Sequence, residues 1–147
     1  MSFTEMIPGR VFVGGRISFK DWPFVYQHIT SIVNLRTKPD QPPFDFSQRI
    51  MIWAPLTIKE APTIEWVEKL IKQLNYLVEK GHRILIHDTY GSQRLGFVIT
   101  AYYMQRFQLS LNQALHTVRQ IKPDIEPTPN YMEVLTEYER HLGFGEA

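Results

Sequence analysis

The chain has 147 residues, 16 Lys and Arg against 15 Asp and Glu, a formal charge of +1, 44% hydrophobic and 13% aromatic residues, and no cysteine. That size and apolar content suit one folded domain over residues 1–147 with its own core and exclude a disordered tail, while the near-neutral charge supplies no field aimed at nucleic acid. Without cysteine the chain has no disulfide, no thiolate metal site and no cysteine nucleophile. Residues 1–8 lack a basic region ahead of an apolar run, and the longest apolar stretch, 96–104, is too short for a bilayer, so a cytoplasmic protein with no membrane span is expected.

In chain order, Val11-Phe12-Val13 before Gly14-Gly15 reads as a strand and a turn. Ile32-Val33-Asn34-Leu35 is a second strand, followed by a loop over 38–44 that carries three prolines. Ile50-Met51-Ile52-Trp53 is a third. Over 63–80, Ile64, Val67, Leu70, Ile71, Leu74, Leu77 and Val78 recur at steps of three and four, the stripe of an amphipathic helix, and Gly81 sits where a left-handed stop belongs. Residues 83–87 form the strongest strand, three adjacent aliphatics covered on both faces. The segment 92–107 is apolar nearly all round and predicts a buried central helix. Ser110 caps a further helix that stops before Pro123, and Thr128 with Pro129 opens a last one to about residue 142. Strands alternating with helices predict an α/β fold: a central, mainly parallel sheet of about four to five strands flanked by helices on both faces. In such sheets the functional crevice lies beyond the carboxyl ends of the strands.

That rule points to His87-Asp88-Thr89-Tyr90-Gly91-Ser92-Gln93-Arg94. A buried strand feeds a short loop, and the loop feeds a helix start, where free N–H groups and the helix dipole favour an anion. Arg94 can fold back as a planar donor for phosphate-type oxygens. Gly91 permits the turn, and Gly96 allows close approach of the helix to its neighbours.

The same segment resembles the His-Cys-x5-Arg-Ser/Thr signature of the cysteine-dependent protein tyrosine phosphatases, and the compact length is similar to the atypical dual-specificity branch. Further matches fall in order along the chain. Residues 8–15 resemble the family's opening strand and turn, 29–36 its "x-I-x-x-V-x-N-L" strand, 114–123 its penultimate helix with the "R-x-x-x-P" end, and 128–131 the start of its final helix. The resemblance implies a dual-specificity phosphatase-like fold with 87–94 as its phosphate-binding loop and Arg94 as its phosphate clamp.

Three roles depart from that pattern. Asp88 matches the nucleophilic cysteine, and a carboxylate is a far poorer nucleophile; enzymes that use aspartyl phosphate depend on Mg²⁺ to screen the charges. The sequence offers no metal cluster beside Asp88, since His28, His82, His116 and His141 are scattered. Leu95 matches the Ser or Thr after the arginine and has no hydroxyl to donate. The segment 54–62, which matches the loop of the general acid, contains no Asp, and Glu60 is its one carboxylate. Asp88 is expected at the floor of the loop, accepting backbone N–H bonds and facing Arg94 as a built-in anion. Arg94 either holds a ligand or ties the loop to a carboxylate such as Asp88. His87 is expected to bond the loop backbone, Thr89 and Ser92 to be loop hydroxyls, Tyr90 to be exposed, Trp53 and Trp66 to pack in or under the surface, and Arg36 and Lys38 to be solvated charges.

The expected function is that of a pseudophosphatase: a module without catalysis, cofactor or metal that binds a phosphorylated protein or another phosphate- or sulfate-type anion weakly, or acts as a scaffold. The rival is an active protein or phospholipid phosphatase whose cysteine at position 88 was exchanged for Asp in the laboratory, with Arg94 as clamp and Glu60 as acid. A second rival is an interaction protein whose loop binds nothing.

Overall fold

The computed structural model describes residues 2–143; residues 1 and 144–147 lie outside it. The elements run β1 (Phe3–Ile7), β2 (Val11–Gly14), a 3₁₀ turn (Phe19–Asp21), α1 (Trp22–His28), β3 (Ser31–Asn34), β4 (Ile50–Trp53), α2 (Ile64–Glu79), β5 (Ile84–His87), α3 (Arg94–Phe107), α4 (Leu111–Ile121) and α5 (Pro129–Leu142). The sheet order is β1-β2-β5-β3-β4. Three pairings are parallel and the β1–β2 edge is antiparallel, so the sheet is mixed and mostly parallel, as expected.

Each central strand divides its side chains between two apolar layers, because successive residues point to opposite faces. Val11, Val13, Val33, Ile84 and Ile86 join the core under α2–α5, while Phe12, Ile32 and Leu85 join a second core with Val25 and Ile29 of the α1 region. The covering is uneven: four helices on one face, and α1 with the aromatics Phe24, Phe44 and Phe46 on the other. Leu95 to Met104 of α3 are all buried, and α3 packs against α2, α4 and α5. At ~25 cal/mol per Å² of apolar surface, such burial holds α3 in place and so fixes where the 88–93 loop enters it.

The local signals act as read. Thr63 Oγ1 accepts the Trp66 N–H, Gly81 takes φ +83° behind α2, and Ser110 and Gln113 exchange bonds in a capping box. Thr128 differs: its hydroxyl donates to Asn130 Oδ1, and its side chain does not cap α5. Two elements carry no expectation above. Strand β1 is a short edge with a bulge between Glu5 and Ile7 that disturbs its alternation. Helix α1 has seven residues, too few for a periodic stripe to show. It is entered through Ser18, whose N–H and hydroxyl both donate to Asp21 Oδ2 at 2.8 Å.

Candidate functional site

The register aligns Gly14, His87, Asn34 and Trp53 as one row across β2, β5, β3 and β4. All four parallel strands therefore release their chains at the same end of the sheet. Segments 15–16, 88–93, 35–40 and 54–62 emerge side by side there, and the α4–α5 connection closes over them.

The 88–93 loop is held mostly through its backbone. Asp88 N–H donates to the Gly14 carbonyl at 3.3 Å, the Thr89 carbonyl accepts from Arg16 N–H at 3.0 Å, and the Ser92 carbonyl from Glu126 N–H at 2.9 Å. Lys122 Nζ donates to the Gly91 carbonyl at 2.6 Å and pairs with Asp124 at 2.7 Å. Arg119 Nε binds the Ile125 carbonyl at 2.9 Å and so braces the connection that carries these contacts. Gly91 has φ +77°, and a Cβ there would lie 3.0 Å from Gly15 N and 3.1 Å from Gly14 C. The turn and the close approach both require glycine at this position. A Cβ on Gly96 would lie 3.0 Å from Ile125 Cγ2, the close helix approach expected of it.

Asp88 is 2% exposed. Its Oδ1 accepts the Gly91 N–H at 2.5 Å and its Oδ2 the Leu95 N–H at 2.9 Å. One carboxylate oxygen closes the turn and the other caps the first turn of α3. The two N–H groups belong to the backbone that would face an anion in this loop, and the chain's own carboxylate holds them. The Leu95 side chain is fully buried in the core.

Arg94 does not turn to Asp88. Its Nη1 donates to the Leu56 carbonyl at 3.0 Å and its Nη2 to Thr89 Oγ1 at 3.1 Å. Among the described residues no hydrogen bond or ion pair ties Arg94 to Asp88: the carboxylate is satisfied by backbone, and the guanidinium bridges the loop to segment 54–62. Arg36 is a second departure. It is half-buried, not freely solvated, and its Nε lies 3.4 Å from the same Thr89 Oγ1. Lys38 is exposed as expected, and so is Tyr90, at 83%. Ser92 is half-buried and Gln93 exposed.

His87 is fully buried, with Nδ1 3.3 Å from the Asp88 carbonyl and Nε2 hydrogen-bonded with Asp40 Oδ2 at 2.6 Å. The backbone contact matches expectation; the partner from the proline-rich loop was not visible in sequence, because 47 residues separate the two. Segment 54–62 is pinned as well. The Tyr131 hydroxyl donates to the Thr57 carbonyl and Asn130 Nδ2 to the Ile58 carbonyl at 3.0 Å. Burial pushes the Tyr131 hydroxyl up to about 12, with nearby Arg94 opposing the rise and Asp88 adding to it. Glu60 is exposed, its N–H donates to Thr57 Oγ1 at 3.3 Å, and among the described residues no hydrogen bond or ion pair joins its carboxylate to the loop. Trp66 packs against the core, whereas Trp53 is half exposed and donates Nε1–H to the Arg36 carbonyl at 2.8 Å. Sequence reasoning missed the contacts of Asp40, Lys122, Asn130 and Tyr131; Lys122 lies in the 114–123 match and Asn130 and Tyr131 in the 128–131 match, but each acts on a segment distant along the chain, where no local signal shows the partner.

A family model described as dual specificity phosphatase, catalytic domain, matches residues 11–141. MAP kinase phosphatase with leucine-rich repeats protein 3 of Dictyostelium discoideum is 28% identical over 143 residues, 95% of this chain and 16% of that protein. Human dual specificity protein phosphatase 7 is 42% identical over 60 residues, 41% of this chain and 14% of that protein. The chain thus spans less than a fifth of the length of either relative. Among solved structures, Tk-PTP in the active form superposes with TM-score 0.83 at 26% identity, covering 95% of this chain and 97% of the other. The human tyrosine phosphatase-like serine/threonine/tyrosine-interacting protein shares the fold with TM-score 0.79 at 20% identity, over 95% and 96% of the two chains. No helix among the described residues is long and apolar enough to cross a membrane.

Proposed function

The chain belongs to the dual specificity phosphatase catalytic-domain family, and from that premise we propose that it is a non-catalytic member, a pseudophosphatase that binds a phosphorylated or otherwise anionic partner weakly. Residues 1–147 act in this reading as one phosphatase-like unit in the cytoplasm. Asp88 stands in the place of the family's cysteine. The observation that carries the reading is the bonding of its carboxylate: both oxygens accept backbone N–H groups, from Gly91 and Leu95. A nucleophile must present a free lone pair toward phosphorus in line with the leaving oxygen. Each oxygen keeps a second lone pair, but the two backbone bonds fix how the carboxylate is oriented, and its charge opposes that of an arriving phosphate dianion.

Two further features support the same reading. Leu95 offers no hydroxyl at the position after the arginine, and its side chain belongs to the core. Segment 54–62 carries no Asp, and the Glu60 carboxylate is bonded to nothing in the loop among the described residues. A departing alkoxide would then lack its proton donor.

Hydrolysis of an aryl phosphate tests this, with the chain and its Asp88→Cys variant side by side. The chain itself is expected to give no turnover above buffer; turnover that disappears in Arg94→Ala overturns the reading. If Asp88→Cys gains clear turnover, the loop and Arg94 are competent and Asp88 alone silences them, the result that the rival reading of an exchanged cysteine requires. If Asp88→Cys stays inactive, Leu95 and the missing acid contribute as well.

A further inference from the structure

We propose that the outer edge of β4, with the groove between it and α2, binds an extended acidic segment of a partner protein as an added strand. The site is separate from the 87–94 loop and stands whether or not that loop takes an anion. It starts from the backbone. Strand β4 ends the sheet, and β3 is its one neighbour. Ile50 N–H donates to the Thr30 carbonyl at 3.1 Å and Ala54 N–H to the Asn34 carbonyl at 2.9 Å. Bonding alternates along a strand, so Ile50, Ile52 and Ala54 face β3, while Met51 and Trp53 turn their N–H and C=O groups outward. Among the described residues, no group of another segment bonds to those two donors and two acceptors.

Sheet edges are ordinarily blunted by a charge, a proline, a bulge or a covering helix. The opposite edge follows that rule: β1 carries Glu5, bulges between Glu5 and Ile7, and packs against α4. Strand β4 reads Ile50-Met51-Ile52-Trp53, without charge or proline, and pairs with β3 in unbroken register. Its side chains are only partly covered, and Trp53 is 50% exposed. Two open hollows of about 250 Å³ and about 490 Å³ run between it and α2 and meet at Ile52 and Gln73.

The walls of this groove select the occupant. Toward the Ile50 end they are Ile50, Ile52, Tyr76 and Leu77, mostly apolar; toward the Trp53 end they include Trp66 and Lys69, and Lys72 lies between. No carboxylate lines either hollow, since Glu65 and Glu68 of α2 line the one toward α5. Among the described residues, neither Lys69 nor Lys72 has an ion-pair partner. An added strand lays alternate side chains over the α2 side. The segment that fits therefore carries an apolar side chain beside Tyr76 and an Asp or Glu beside Lys69 and Lys72. A second copy of the chain fits worse: pairing β4 with β4 about a twofold axis would turn Lys69 and Lys72 toward their own counterparts, and like charges repel. Main-chain bonds supply the attachment, and the alternate side chains choose the partner.

The test adds a capped peptide of about eight residues, with Thr and Val alternating in one half and Thr and Glu in the other, and follows the chain's backbone amides by NMR. Binding is expected to shift the Met51 and Trp53 amides and to slow their hydrogen exchange. A peptide with Lys in place of Glu should bind about fivefold or more weakly, and Lys69→Glu combined with Lys72→Glu should reverse that order. Methylating alternate peptide nitrogens gives two isomers. The one whose methyl groups face β4 should lose binding, and the other should stay within about twofold of the parent peptide. Isomers that bind equally overturn the added strand, and equal affinity for the Glu and Lys peptides overturns the acidic partner. No binding at millimolar peptide overturns both. Protection of the Met51 and Trp53 amides on concentrating the chain alone assigns the edge to a second copy and defeats the proposal. Displacement of the peptide by inorganic phosphate places its carboxylates in the 87–94 loop and defeats it as well. The peptide arms use the unaltered chain, and Lys69 and Lys72 are both exposed, so the result does not turn on a variant that fails to fold.

Discussion

Asp88 and Gly91 together make the loop's shape a property of single atoms. The Asp88 carboxylate satisfies two buried N–H groups, so its removal leaves both unpaired. Asp88→Ala is expected to destabilise the chain by about 1–3 kcal/mol in denaturant unfolding without phosphate, and phosphate should restore more stability to this variant than to the parent chain. Equal phosphate stabilisation of the two would sink the idea that Asp88 occupies the floor. Gly91 combines φ +77° with a built Cβ only 3.0 Å from Gly15 N. Gly91→Ala should therefore cost about 1–3 kcal/mol, since neither the turn nor the facing backbone can yield cheaply. A loss below about 0.5 kcal/mol, the size of an ordinary surface substitution, would show that the turn relaxes.

At the scale of elements, caps and crossings decide what is rigid. The entry to α1 depends on Asp21, which accepts both donors of Ser18. Burial alone would raise its pKa, but hydrogen bonds from Ser2 and Ser18 outweigh that and hold it below the ordinary 3.8. A depressed carboxyl stabilises the fold above its unfolded value and loses that contribution as pH falls through the folded one. The melting temperature of the parent chain should fall faster below about pH 4 than that of Asp21→Asn; parallel curves would refute the linkage. At neutral pH, Asp21→Ala is expected to cost about 1 kcal/mol, as caps do. Helix α3 shows the other side of element physics. Its Leu95 lies in the core, so Leu95→Ser trades apolar packing for a hydroxyl and is expected to lose about 2–5 kcal/mol while leaving aryl phosphate turnover at buffer level. A stable, active Leu95→Ser would contradict this.

The whole molecule adds the coupling between the loop and the helices that close over it. Tyr131 stacks on Phe97 of α3 at a centroid distance of 4.8 Å and donates its hydroxyl to the Thr57 carbonyl. Burial pushes Tyr131 and Tyr138 up to about 12. A phenol with a raised pKa contributes stability that is complete below its unfolded value near 10 and declines as pH rises toward the folded one. Unfolding midpoints should therefore drop between about pH 10 and 12, and Tyr131→Phe should flatten part of that drop. An unchanged slope would assign the alkaline loss to other groups.

Legibility followed the same ladder of distance. Periodicity and punctuation placed α2, α3, α4, α5 and the four parallel strands, because each signal there lies within a few residues of its effect: the stripe from Ile64 to Val78, Gly81 behind it, Ser110 ahead of α4. The loop from His87 to Arg94 was legible for the same reason, as a strand, a glycine turn and a helix start in one stretch. Edge strand β1 and short α1 escaped, one through its bulge and the other through its length. What only the tertiary structure decided is the partnership of each charged side chain. Arg36 looks like any surface cation in sequence, yet the register of β3 against β5 brings it to Thr89, 53 residues away. Asp40 reaches His87, Lys122 reaches Gly91, and Arg94 chooses Leu56 and Thr89 over Asp88. Hydrophobic pattern is a one-dimensional property, written along the chain by the pitch of helix and strand. The pairing of donors with acceptors is three-dimensional and is settled only when parallel strands deliver distant segments to the same end of one sheet.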